Sequence, residues 1–279
     1  MNTYLLGIYE KAIPEDLGWE ERLKTAKEAG FDFLEISMDE TEGRLKRLEW
    51  TRDERLKLLD IIYKTGIPMK TMCLSGHRKF PLGSHDEAVR NRSLDIMEKA
   101  IILASDLGIR IVQLAGYDVY YEEGDEETRG YFLENLKKSV DMAAAHGVSL
   151  GFETMETPFM DTISKAMAYV NKVNSPYLGV YPDLGNLTNA CYLYGLDVNE
   201  EIEAGKGHLM AMHLKDTVEG VYRNLEFGEG RVDFEAGIKK AKEMGVRLFN
   251  AECWYTGKKE WKENLRKGNA LLRGFLDAP

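Results

Sequence analysis

Three acidic residues and one histidine stand near the ends of four predicted strands in the second half of the chain. They are, in chain order, Glu153, Asp183, His213 and Glu252. Carboxylates held close together repel one another unless a cation or a proton neutralises them. Three carboxylates and one imidazole form a donor set that suits Mn²⁺, Zn²⁺ or Mg²⁺. The four residues therefore predict a site for one divalent metal ion.

The alternation of each strand tests the direction of these side chains, because successive residues of a strand point to opposite faces. Two positions before the four candidates stand residues that are mostly small or polar: Gly151, Tyr181, Ala211 and Asn250. The positions predicted to face the covering helices are apolar: Phe152, Val180, Met212, Leu214, Ala251 and Cys253. All four candidates are therefore predicted to point into the interior of the sheet.

The elements that position these residues alternate along the whole chain. Short β-rich segments are predicted at 4–10, 31–39, 67–75, 111–117, 149–154, 178–183, 209–216 and 247–254. Amphipathic helical segments separate them, and Thr51 with Glu54 and Ser84 with Glu87 predict capping boxes at two helix starts. Strand and helix repeated eight times in 279 residues predict an α/β fold with a single (β/α)8 TIM barrel, one domain over residues 1–279. A doubly wound open sheet is the alternative, but the first predicted strand lacks a Gly-rich turn after it.

Charge and cysteine content narrow the classes of partner. Asp and Glu number 47 against 37 Lys and Arg, a formal charge of −10, so nucleic acid is an unexpected partner. The three cysteines lack metal-ligand or disulfide spacing, which favours a reducing cytoplasm. No apolar run approaches the ~18 residues that cross a bilayer, and the first ten residues lack a signal-peptide pattern. We therefore expect a cytoplasmic protein with no membrane partner.

Longer motifs around these strand ends carry a family resemblance. They are "FETMETPFMDTISKA", "YPDLGN", "MHLKDT", "FGEGRVDF" and "AECW", with "GIYEKAIP" and "CLSGHRKFPLGS" in the first half of the chain. Together they resemble the L-ribulose-5-phosphate (L-xylulose-5-phosphate) 3-epimerase family of the xylose-isomerase-like barrels. The resemblance implies a pentulose phosphate substrate, one divalent metal ion and a homodimer. It places the metal ligands on Glu153, Asp183, His213 and Glu252, and the acid and base on Glu153 and Glu252.

The implied reaction fits this set of side chains. Inversion at C3 of a ketose removes the proton next to the C2 carbonyl, passes through an enediolate and returns a proton to the opposite face. A metal ion stabilises the developing oxyanion. Carboxylates on both sides, Glu153 and Glu252, remove any need for the intermediate to turn over.

The substrate phosphate needs cationic groups or N–H donors. The segment after the third predicted strand supplies Ser75, His77, Arg78 and Lys79, and we expect these residues to bind substrate. A solvated basic loop is the alternative for the Arg-Lys pair.

Three further residues are predicted to bind substrate. Lys215 shares the strand parity of His213 and should point inward. Asn186 stands where related free-sugar epimerases carry a histidine, and Arg223 precedes "FGEG", as a substrate-binding arginine does in those relatives. Glu35, four residues before Asp39 at the end of the second strand, is expected to be a structural partner near the barrel floor.

Three other functions remain open at this point. A metal-dependent aldose–ketose isomerase of the hexulose-6-phosphate type needs the same metal and carboxylates. An abasic-site endonuclease resembles this barrel but uses more strand-end histidines than the single His213. A non-catalytic sugar-phosphate-binding module could keep the metal for structure, since four ligands fill a tetrahedral site.

Overall fold

The computed structural model describes residues 4–278, within which eight strands alternate with helices. Residues 1–3 and 279, which the predicted single domain includes, lie outside this range. The strands are β1 (Leu5–Tyr9), β2 (Phe33–Met38), β3 (Met69–Leu74), β4 (Ile111–Ala115), β5 (Ser149–Glu153), β6 (Leu178–Val180), β7 (Met212–Leu214) and β8 (Leu248–Ala251).

The α-helices pack outside the sheet, between the strands in sequence. They are α1 (Trp19–Glu28), α2 (Glu42–Leu45), α3 (Arg52–Thr65), α4 (Glu87–Leu107), α5 (Glu126–His146), α6 (Ile163–Val173), α7 (Leu184–Tyr194), α8 (Val198–Ala204), α9 (Phe234–Glu243) and α10 (Trp261–Asp277). Among the helices of residues 4–278, none combines the length and the apolar character that crossing a membrane requires.

All strand pairs are parallel, in the order β6-β5-β4-β3-β2-β1-β8-β7. Isolated parallel bridges, Val180 with Leu209 and Asp183 with His213, link the segments that contain β6 and β7. The backbone N–H of His213 also donates to Pro182 O at 2.9 Å. The carboxyl ends of β5 to β8 therefore come together at one edge of the sheet.

The outward-facing positions of these strands build the core beneath the helices. Five of the six residues predicted to face outward belong to the main apolar core and are 0% exposed: Phe152, Val180, Met212, Leu214 and Ala251. Cys253 is partly buried against the same core. Complete burial of a large apolar side chain contributes about 1.5–3 kcal/mol. This burial fixes the register of the strands, because a slip by one residue would turn these side chains inward and the acidic residues outward.

The two predicted helix starts differ in outcome. Thr51 forms the predicted capping box with Glu54 at the start of α3. The capping box predicted from Ser84 is wrong, because α4 begins at Glu87 with Asp86 as its N-cap, whose carboxylate accepts the N–H of Ala88 at 2.8 Å. Ser84 lies two residues before Asp86, and its hydroxyl accepts the N–H of Asp86.

A buried ion cluster fixes the turn after β1. The carboxylate of Glu10 is 0% exposed and is bound by the guanidinium groups of Arg22, Arg44 and Arg47. It also accepts the backbone N–H of Ser37 at 2.8 Å, which ties it to β2. Burial raises the pKa of Glu10, but Arg47 and Arg44 outweigh burial and hold the pKa below its ordinary value.

Candidate metal and substrate site

The four residues predicted as metal ligands lie together at the carboxyl ends of β5 to β8. One ligand atom from each of Glu153, Asp183, His213 and Glu252 lies within 4.8 Å of the others. The side chains are buried, with exposures of 5%, 0%, 0% and 6% in that order. The register explains the convergence, since Asp183 and His213 are bridge partners and the N–H of Glu252 donates to Leu214 O.

Asp183 caps the start of helix α7 and also forms an ion pair with Lys215. It is the N-cap of α7, and its Oδ1 accepts the N–H of Asn186 at 2.6 Å. The Nζ of Lys215 lies 3.2 Å from the same oxygen and 3.2 Å from Glu252 Oε2. The second oxygen of Asp183, Oδ2, is buried without a hydrogen bond.

Two buried polar atoms of the cluster, His213 Nδ1 and Asp183 Oδ2, lack hydrogen-bond partners. A third, Glu252 Oε2, faces the ammonium group of Lys215 at 3.2 Å. His213 Nδ1 lies 3.3 Å from Glu252 Oε2 and 3.8 Å from Glu153 Oε1. Buried polar atoms nearly always have a partner, and a set of donors converging on one point fits a cation. One imidazole and three carboxylates suit a divalent ion of the Mn²⁺, Zn²⁺ or Mg²⁺ type.

The shifted pKa values of the carboxyl groups also favour a bound cation. Burial, reinforced by the Glu252 carboxylate, raises the pKa of Glu153 to about 8, and burial raises the pKa of Asp183 to about 7. Burial also acts to raise the pKa of Glu252, but Lys215 and His213 outweigh it and hold that pKa below its ordinary value. The crowded carboxylates therefore retain protons that a metal ion would displace.

A cleft opens beside the cluster and is bordered by both glutamates, Glu153 and Glu252. Five residues predicted to bind substrate line it: Ser75, Arg78, Asn186, Lys215 and Arg223. Mixed aromatic, cationic and carboxylate walls of this kind suit a small, charged, hydroxylated ligand.

The two arginines of the cleft approach the same carboxylate. Arg78 donates to Tyr117 OH at 3.3 Å, and its guanidinium lies 3.8 Å from Glu156 Oε1. Arg223, on the loop between β7 and α9, lies 3.9 Å from that oxygen, and its guanidinium stands 5.8 Å from the ring centre of Trp254.

Two predicted substrate residues, His77 and Lys79, do not line the cleft. A short 3₁₀ turn over Gly76–Arg78 directs the His77 ring to α4, where its Nε2 lies 3.2 Å from Ser93 O. Burial lowers the pKa of His77 to about 4, so the ring is neutral and suits this packing. Lys79 is exposed on the outer side of the turn, with its Nζ 5.6 Å from the Phe80 ring centre.

The structure adds residues to the cleft that sequence patterns did not select: Tyr9, Lys11, Cys73, Met155, Glu156, Tyr222 and Trp254. Glu156 stands in the quoted motif "FETMETP", three residues after Glu153, which was its only signal. Tyr9 is the last residue of β1 and Lys11 lies two residues after it. No candidate ligand was predicted on this strand.

Glu35, which was expected near the barrel floor, contacts the candidate metal cluster. It is a buried structural partner, as predicted, but its partner is the candidate ligand His213, whose Nε2 lies 2.6 Å from Glu35 Oε1. Both side chains are 0% exposed.

Asp216 anchors the loop that carries Arg223. Its buried carboxylate accepts backbone N–H groups from Thr217, Gly228, Gly230 and Val232. The "FGEG" motif therefore wraps around one carboxylate, and a β-carbon at Gly230 would lie 2.1 Å from Asp216 Oδ1.

The fold and the strand-end cluster define a class of protein. A sequence model described as the xylose isomerase-like TIM barrel matches residues 23–274. The chain resembles solved structures of D-psicose 3-epimerase (TM-score 0.81, 16% identity, 98% of this chain and 100% of that one) and L-ribulose 3-epimerase (TM-score 0.80, 19% identity, 98% and 95%). These likenesses concern the fold.

Sequence relatives are much closer. The chain is 52% identical to L-ribulose-5-phosphate 3-epimerase UlaE of Salmonella paratyphi A, over 98% of this chain and 94% of the relative. It is also 52% identical to the protein of the same name from Shigella boydii, over 86% and 83%. The chain belongs to the L-ribulose-5-phosphate 3-epimerase family, within the xylose isomerase-like TIM barrels.

Proposed function

We propose that the protein is a sugar-phosphate 3-epimerase that interconverts L-ribulose 5-phosphate and L-xylulose 5-phosphate. The observation that carries this proposal is the pair Glu153 and Glu252, which both border one cleft and share one candidate metal site with Asp183 and His213. The naming of relatives at 52% identity supports the same reaction.

The two glutamates supply the proton-transfer groups that inversion at C3 requires. One carboxylate removes the C3 proton, and the other returns a proton to the opposite face of the enediolate. Their environments differ, since the pKa of Glu153 is raised to about 8 while that of Glu252 is lowered. A divalent ion bound by the four side chains would supply the positive charge that stabilises the developing C2 oxyanion.

Cationic residues at two sides of the cleft are candidates for the phosphate. Arg78 and Arg223 flank Glu156 on one side. Lys11 lines another part of the cleft. It also lines a neighbouring pocket together with Arg44, whose guanidinium binds Glu10. We propose that the phosphate occupies one of these sides. Arg78→Met and Lys11→Met distinguish them, because the variant that loses the phosphate contact raises KM for the pentulose phosphate and leaves binding of the free pentulose unchanged.

Deuterium exchange tests the reaction. We expect the metal-loaded protein to convert L-ribulose 5-phosphate in deuterated water and to place the label at C3, as located by NMR. Label at C1 or C2 would instead support the aldose–ketose isomerase. Binding of the pentulose phosphate without exchange, with Mn²⁺, Zn²⁺ or Mg²⁺, would support the non-catalytic binding module and contradict the proposal.

The two-base assignment has its own test. Glu153→Gln and Glu252→Gln should each slow epimerisation about 10²–10⁴-fold, because each removes one proton-transfer group. Each variant should still exchange the C3 proton of one epimer, and the two variants should retain opposite epimers. Metal content is measured in both, since a variant without metal would be inactive for another reason. Equal loss of exchange from both epimers in a metal-loaded variant would contradict the assignment.

We also propose that residues 1–279 form one domain, that the sheet closes into a complete (β/α)8 barrel, and that the protein works in the cytoplasm as a homodimer. The bridges between the β6 and β7 segments and the continuous apolar core from Tyr4 to Leu276 support closure and a single domain. The free cysteines Cys73, Cys191 and Cys253 fit a reducing compartment. Light scattering of the purified protein tests the dimer.

A further inference from the structure

Glu35 of β2 is bound to the one imidazole of the candidate metal cluster. Its Oε1 lies 2.6 Å from His213 Nε2, and neither side chain is exposed. We propose that Glu35 is a positioning residue that fixes the tautomer and orientation of His213, so that the Nδ1 lone pair faces the metal ion. This role rests on the proposed function, because it concerns the metal site through which the epimerase would act.

The hydrogen bonds of Glu35 assign the proton on His213. Oε1 accepts from Asn250 Nδ2 at 2.9 Å in addition to facing His213, and Oε2 accepts from Thr71 Oγ1 at 2.6 Å and Tyr181 OH at 2.9 Å. Two partners on each oxygen fit an ionised carboxylate, which can accept hydrogen bonds but cannot donate them. The Nε2 of His213 must therefore carry the hydrogen of that contact. In a neutral imidazole this leaves the lone pair on Nδ1.

The other side of the ring is arranged for a cation. His213 Nδ1 has no hydrogen-bond partner and faces the oxygens of Glu252 and Glu153 at 3.3 Å and 3.8 Å. The Tyr181 ring packs edge-on against the imidazole, with 4.9 Å between ring centres, and limits its rotation. A carboxylate behind a ligating histidine fixes the ring and raises its basicity as a ligand.

Glu35 is also a structural hub, and the test must separate the two roles. Its partners come from different parts of the sheet, Thr71 on β3 and Asn250 on β8 among them. Loss of any of these bonds should lower stability, whereas only a change at the His213 contact should alter metal affinity. Tyr181→Phe is the matched control, because it removes a donor from Oε2 and leaves the contact of Oε1 with His213.

The experiment compares the full-length wild type, Glu35→Gln and Tyr181→Phe. Zn²⁺ affinity is measured by competition with a chromogenic chelator, and stability of the metal-free proteins by urea unfolding. We expect Glu35→Gln to weaken Zn²⁺ binding about 10–100-fold, and Tyr181→Phe to change it less than about threefold even though it lowers stability. In the Zn²⁺-loaded wild type with ¹⁵N-labelled histidine, NMR should show Nε2 protonated and Nδ1 bound to zinc.

Several results would overturn the role of Glu35. They are unchanged Zn²⁺ affinity in Glu35→Gln, equal weakening in Tyr181→Phe, or an NMR spectrum with the proton on Nδ1 of His213. Should Glu35→Gln fail to fold, the spectrum of the wild type still decides the tautomer. None of these measurements uses a sugar, so absence of C3 exchange in the wild type would contradict the proposed function and leave the role of Glu35 standing.

Discussion

Binding of the metal ion should depend steeply on pH, because the metal-free cluster holds protons. Burial raises the pKa of Glu153 to about 8 and of Asp183 to about 7, and both groups must lose their protons before they bind a cation. A raised pKa keeps a carboxyl protonated at neutral pH, so the apparent affinity must increase as the pH increases.

The two pKa values set the size of the effect. At pH 6.5 proton competition lowers the association constant by about two orders of magnitude, and at pH 8.5 it lowers the constant hardly at all. The constant should therefore rise about 100-fold between these pH values, which corresponds to about 3 kcal/mol. With ordinary pKa values for these carboxyls and for His213, the rise would be only about twofold.

Competition titrations with Mn²⁺ and a chelator of calibrated pH dependence measure this rise. Calorimetry in two buffers with different ionisation heats counts the displaced protons, and the two carboxyls should release between one and two protons at pH 6.5 and less than one at pH 8.5. The pKa of His213 is also raised, because Glu35 and Glu252 outweigh the effect of burial, so the imidazole adds to both effects. Glu153→Gln removes the larger carboxyl contribution and should leave a rise of about fourfold from Asp183.

A rise of less than about threefold in the wild type would refute the reasoning. It would mean that the carboxylates stay ionised without a metal ion, and that burial and mutual repulsion are much weaker than the geometry implies.

Two other perturbations test features outside the cluster. Glu10→Gln leaves the guanidinium groups of Arg22, Arg44 and Arg47 without their buried carboxylate, and urea unfolding at pH 7 should show a loss of about 3–5 kcal/mol. Because the pKa of Glu10 is lowered in the folded protein, its contribution is present at pH 7 and is lost as the pH falls through the folded-state pKa, so wild type and variant should converge in acid; a constant difference would contradict this. Gly230→Ala places a β-carbon against Asp216 and should displace the loop of Arg223, raising KM for the pentulose phosphate about tenfold or more with unchanged metal affinity. Gly43→Ala, where a β-carbon meets nothing within 4 Å, is the control, and equal KM values for the two variants would exclude this role of the loop.

The strand-end cluster was predictable because its signal lies within each strand. Alternation alone placed Glu153 and His213 on the inner face, and the contacts of the Phe152 ring with Phe132 of α5 and Tyr169 of α6 confirm the outer face. Their arrival at one level follows from the parallel order of the strands, which the repeated strand–helix pattern predicted. Their role as metal ligands stays a prediction.

Contacts between strands that are distant in sequence were not predictable in the same way. Glu35 and His213 are 178 positions apart, and their contact depends on how the strands tilt and stagger in three dimensions, which period-two patterns do not encode. His77 shows the same limit over a short distance in sequence. Its neighbours Arg78 and Ser75 reach the cleft, but a single 3₁₀ turn directs the His77 ring the other way.

The four candidate metal ligands and Glu35, which contacts one of them, come from different halves of the chain. Every candidate ligand lies in residues 149–252, whereas the carboxylate that aligns the imidazole lies on β2. A nascent chain grows from its N-terminus, so a chain that has completed only its first half contains Glu35 but none of the candidate ligands. Under the proposed roles of these residues, a cation would be bound tightly only after both halves of the chain have packed together, and its binding energy would stabilise the finished fold.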